Sequence, residues 1–118
     1  MERTFTYKIK PVKSFGSDEI VDFGFTGEII VKMPEFLERM KLAKEQQKLG
    51  EDIELVAKSA IDICTKYIVQ MSVKHEDIAD EITSIDDLTI FDGGVSILFD
   101  IYNRLLNGWS LSPKSVKP

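Results

Sequence analysis

The chain has 118 residues, 43% of them hydrophobic, and a formal charge of −5 from 20 acidic and 15 basic side chains. That size suits one domain with a real core. The composition excludes a disordered chain, and the acidic balance argues against nucleic-acid binding, which calls for a basic face. No apolar run approaches the ~20 residues needed to cross a bilayer, and the N-terminus lacks the apolar stretch of a signal peptide. A soluble intracellular protein is therefore expected.

Phe5, Tyr7 and Ile9 alternate with Thr4, Thr6, Lys8 and Lys10. This predicts an amphipathic strand that stops near Pro11. Ser14 to Glu19, with Gly16, reads as a turn. A second β region spans about Ile20 to Met33, where Val21, Phe23, Phe25, Gly27, Ile29, Val31 and Met33 take every second position. Its length exceeds a typical strand, so a break near Gly24 or Gly27 is expected, giving a hairpin or three-stranded meander. Parity is kept across Gly27, which favours a bulge or bend there over a two-residue hairpin.

Pro34 suits the first turn of a helix. Phe36, Leu37, Met40 and Ala43 form one narrow apolar stripe on an otherwise polar surface helix. Gly50 fits a helix-closing position, and Asp52 fits the N-cap of a second helix running from about Ile53 to Lys74. The stripe of that helix includes Ala60, Cys64, Tyr67 and Met71, with Leu55, Ile63 and Val69 off it. Residues 75–82 read as an acidic connection. Ser84 with Asp87, and Asp92-Gly93-Gly94, are two further helix starts. Val95 to Leu106 forms the last helix, closed by Asn107-Gly108. Residues 110–118 read as a flexible tail. The predicted fold class is α+β: a small antiparallel β region over about 4–33, packed on a helical body over about 34–108, in a single domain covering 1–109.

The charge is unevenly placed. Residues 1–15 hold Arg3, Lys8, Lys10 and Lys13 against Glu2, whereas residues 76–103 hold eight acids and no Lys or Arg. These are either two solvated faces of unlike charge or the two sides of a contact between copies. Cys64 is the single cysteine, so an internal disulfide is impossible, and its apolar neighbours make it a small buried hydrophobe.

Routes to chemistry are poor. His75 is the only histidine, and the partners of a triad or a histidine metal site are missing. Asp86, Asp87, Asp92 and Gly93 do not keep calcium-loop spacing. Gly93-Gly94 opens a helix, but Asp92 would repel a phosphate there. Ser59, Ser72 and Ser96 have no evident general base. No catalytic residue, cofactor or metal ligand is expected, and the chain reads as a non-enzyme. Phe23 and Phe25 fit core positions better than base-stacking ones. Trp109 either folds over the core or anchors a partner.

The stretch Asp22-Phe23-Gly24-Phe25-Thr26-Gly27-Glu28, followed by Met33-Pro34-Glu35-Phe36, resembles the small tail assembly chaperones of long-tailed, siphovirus-like bacteriophages. These place a short β region ahead of a helical body. Leu105-Leu106-Asn107-Gly108-Trp109 is similar to the helix ending before their tails. The resemblance implies a protein that coats the tape-measure protein, keeps it soluble, helps recruit tail-tube subunits, and is absent from the mature virion after acting in the host cytoplasm. It also implies a frameshifted longer form that contacts tube protein, for which Ser112-Pro113-Lys114 is a candidate coding site. A homo-oligomer is expected, with no nucleic acid and no membrane involved. Phe36, Met40, Tyr67, Met71 and Trp109 are the expected contact residues for client or self. A structural virion subunit (tail terminator or head–tail connector) and a cytoplasmic secretion-type chaperone are the rival readings.

Overall fold

The computed structural model describes residues 3–107. In chain order the elements are β1 (Thr4–Lys8), β2 (Val12–Lys13), β3 (Ile20–Val21), β4 (Phe25–Lys32), α1 (Phe36–Gln47), α2 (Ile53–Tyr67), β5 (Ile68–His75), α3 (Ile85–Leu88) and α4 (Asp92–Asn107). The fold is α+β. Three antiparallel strands lie in the order β1-β4-β5, and β2 with β3 makes a separate two-stranded ladder.

The alternation in β1 and β4 becomes one buried sheet face. Phe5 lies opposite Val31 and Tyr7 opposite Ile29. Tyr7, Phe25, Ile29 and Val31 are buried, whereas Thr6, Thr26 and Glu28 are exposed on the other face. The long β region does break at Gly24, where φ is +85° and the Asp22 carboxylate accepts the Gly24 amide at 2.9 Å. Gly27 is neither bulge nor bend but lies inside β4, at φ +120°. A side chain there would collide with the Ser72 carbonyl of β5, so glycine lets the two backbones approach.

The expected helix over 53–74 is corrected. It ends at Tyr67 and the chain passes directly into β5, with Ile68 already extended at φ −79° and ψ 123°. The cause is a bulge. Ile30 faces Gln70 but Val31 faces Ile68, so Val69 is the extra residue. The bulge puts Ile68 and Met71, three apart, on the same inner face, which imitates a helical stripe. Pairing with β4 then overrides local helix preference. The β region is therefore not confined to residues 4–33, because a third strand is threaded through the helical body.

Against the inner face of the sheet lie α2 and α4. Ile97, Leu98, Ile101, Tyr102 and Leu105 of α4 are fully buried with Cys64 of α2. The Cys64 thiol donates to the Leu98 carbonyl at 3.2 Å, and burial pushes its pKa up to about 12. This makes it a packing group and not a nucleophile. Gly93 and Gly94 serve close packing in the same way. A side chain at Gly93 would strike Phe23, and one at Gly94 would strike the Leu88 carbonyl. Leu98→Ala removes a side chain with no solvent exposure and should cost ~2–5 kcal/mol in chemical denaturation.

Candidate interaction face

Helix α1 begins after Pro34, with Glu35 in the N-cap position and extended. Around a 3.6-residue helix its apolar stripe and its attached side separate cleanly. Leu42 is the one buried residue of α1. Phe36, Leu37 and Met40 are 62%, 78% and 54% exposed. The apolar stripe thus points away from the core. Lys41, Lys44 and Lys48 border it, with Glu45 the acid among them. The Arg39 guanidinium sits over the Phe36 ring, 5.5 Å from its centroid, and holds that ring in place on the surface.

On the attached side, Lys66 pairs with Glu38 at 3.0 Å and fixes α1 to α2. Tyr67 Oη is buried beneath with no partner in good hydrogen-bond geometry. The Glu38 carboxyl is held below its ordinary value of 4.5, first by the Tyr67 hydroxyl and then by Lys66. Burial, and then Glu38, push the Tyr67 hydroxyl well above the usual tyrosine range. The tyrosine contact is therefore loose, and the ion pair is the firm one. Because the folded pKa of Glu38 is depressed, its contribution is present above the ordinary glutamate value and is lost as pH falls through the lowered one. Melting curves of wild type and Glu38→Gln should differ near neutrality and converge below that window.

The five expected contact residues separate. Phe36 and Met40 are on the open face of α1. Tyr67 and Met71, at 2% and 6% exposure, are core residues and offer no surface to a partner. Trp109 lies outside the described residues, as do Gly108, expected to close the last helix, and residues 110–118. Leu37 is the most exposed member of the stripe. Its place beside Phe36 and Met40 was readable from helical spacing, but which way the stripe faced was not.

A second feature is a cleft of about 740 Å³ between the β2–β3 hairpin, the start of α2 and one side of α4. Phe15 and Phe99 meet edge to face at 5.0 Å on its floor. Its polar groups are largely committed. Ser96 Oγ accepts the Phe15 amide at 2.8 Å and donates to the Asp92 carbonyl at 3.3 Å. Asp100 accepts from the Tyr7 hydroxyl at 2.7 Å and from Arg104 Nε at 3.5 Å. Lys10 and Lys13 are matched by Asp18 and Glu51, so the cleft favours neither sign of charge.

The remaining reactive side chains have structural places. His75 Nδ1 accepts the Asp77 amide at 3.1 Å, so Nε2 carries the proton given to the Phe23 carbonyl at 2.9 Å. The His75 ring stacks on Phe91 and meets Phe25 edge on. Both nitrogens thus tie the end of β5 to neighbouring loops. Ser72 bonds Glu81, and Ser59 faces the Tyr102 hydroxyl at 3.5 Å. Among the described residues no cluster of His, Cys, Asp or Glu could hold a metal ion, and no helix is long and apolar enough to cross a membrane. Set against known proteins, the chain matches no family model, no curated protein and no solved structure.

Proposed function

We propose that this chain is a non-enzymatic assembly chaperone of a long-tailed bacteriophage. In this reading it binds the tape-measure protein in the host cytoplasm, keeps it soluble, helps recruit tail-tube subunits, and does not enter the mature virion. The supporting observation is the outward apolar stripe of α1, a rigid helix whose three large apolar side chains have no partner in the core. A stripe of this kind suits helix-against-helix contact with a long helical client. Met40 adds an adaptable group for a varied client surface. The binding sites in this reading are Phe36, Leu37 and Met40.

Co-expression with the tape-measure protein encoded beside it is the test. The chaperone should shift that protein from the insoluble to the soluble fraction and co-purify with it. Mass spectrometry of finished particles should then find the tape-measure protein and not this chain. Its presence in particles would favour a structural virion subunit, and a neighbouring secreted effector rescued in its place would favour a secretion-type chaperone.

A further inference from the structure

We propose that copies of this chain associate head to tail, with the acid-ringed Ile90 of one copy seated on the basic-edged α1 face of the next. The two surfaces are built from opposite materials. On α1, Phe36, Leu37 and Met40 stand out from the helix, bordered by exposed Lys41, Lys44 and Lys48, which outnumber the exposed Glu35 and Glu45. At the turn between α3 and α4, Ile90 is 73% exposed, and Asp86, Asp87 and Asp92 around it are all exposed. No Lys or Arg occurs between Lys74 and Arg104 to neutralise that corner. An apolar knob with an acidic rim thus complements an apolar strip with a basic rim. Each surface meets the other better than it meets itself, because pairing like rims would bring like charges together.

The turn that carries Ile90 is stiff. Phe91 and Thr89 amides bond the carbonyls of Leu88 and Ile85, and the Gly94 and Val95 amides bond the Phe91 carbonyl. Leu88 beneath it is fully buried. Ile90 is therefore presented outward by a braced corner and not by a loose loop. Since the two surfaces share no residue, the contact is heterologous: after pairing one copy keeps its strip and the other its knob, so the pair can be extended at both ends. The association uses the face assigned to the client but does not depend on a client. In a holding protein, self-contact would cover that face until the client displaces it.

Sedimentation velocity on the full chain tests this directly. The wild type should show a sedimentation coefficient that rises with concentration and falls back as salt is raised, since the rims are exposed charges. Leu37→Glu and Ile90→Lys alter exposed positions, and circular dichroism should find both folded. Each alone should be monomeric. Mixed in equal amounts they should form a 1:1 dimer and nothing larger, because one good knob and one good strip remain between them. Charge reversal at Asp86 and Asp87 should abolish association, and reversal at Lys41 and Lys44 in the same chain should restore it. A wild type that stays monomeric to about 1 mM overturns the proposal. So does association that survives Ile90→Lys, which would indicate symmetric pairing of two α1 faces. A monomer that still solubilises the tape-measure protein would sink this inference while leaving the proposed function standing.

Discussion

Gly94→Ala should destabilise the fold by about 3 kcal/mol or more, lowering the melting temperature by on the order of 15 °C. The sign is the informative part. Within a helix, alanine in place of glycine ordinarily stabilises by ~1 kcal/mol. Here the added methyl group would land on the Leu88 carbonyl. That oxygen already accepts the Phe91 amide at 3.2 Å, and Phe91 in turn accepts from Gly94 and Val95. Relief would require moving a backbone turn whose own hydrogen bonds start α4, over a Leu88 side chain with no exposure. Gly93→Ala meets the Phe23 side chain instead, and Phe23 is half-buried in the loop before β4. That loop can yield in part, so a smaller cost of about 1–3 kcal/mol is expected. Urea denaturation of the two variants should rank them in this order. A neutral or stabilising Gly94→Ala would mean that α4 and the end of α3 can separate to admit a methyl group at little cost.

The same pair of glycines shows where the sequence could be read and where it could not. Asp92-Gly93-Gly94 was legible as a helix start, yet the reason for two glycines is tertiary. For Gly93 it is the Phe23 side chain, far away in sequence, and for Gly94 it is the Leu88 carbonyl of the preceding turn, whose position only the fold decides. The strands around Tyr7 and Ile29 were legible because a sheet with one buried face writes a period of two directly into the chain. β5 was not, because the bulge at Val69 gave its inner residues a helical spacing and because Tyr67 and Cys64 before it belong to a real helix. Nothing local separates Met71 on a helix from Met71 on a strand, and pairing with β4 decides.

The candidate face was half legible. Phe36, Leu37 and Met40 were visible as a stripe, and a stripe on an amphipathic helix is ordinarily turned inward. α1 reverses that rule. It packs on α4 along the side that carries Leu42 and is tied to α2 by the ion pair of Glu38 with Lys66, so Phe36, Leu37 and Met40 are left in solvent together with the exposed lysines. Tyr67 and Met71 share the chemistry of a contact residue, but they are enclosed by the sheet and helices.

This division makes the paired change Leu37→Glu with Met40→Glu the second large prediction. Both residues are more than half exposed and glutamate is a good helix former, so stability should stay within about 0.5 kcal/mol of wild type. Burying each side chain against a partner is worth roughly 1.5–3 kcal/mol. Removing both, and putting carboxylates where an apolar surface must dock, should weaken client binding by about 100-fold or more. Under the proposed function, the tape-measure protein should then return to the insoluble fraction beside a fully folded chain. Met71→Ala should do the reverse. It should cost ~2–5 kcal/mol of stability through the cavity it leaves, while the molecules that remain folded bind client as wild type does. Client capture measured per folded molecule separates the two effects. If Met71→Ala lost capture while the double glutamate variant kept it, the working surface would lie on the sheet side and α1 would be only a strut.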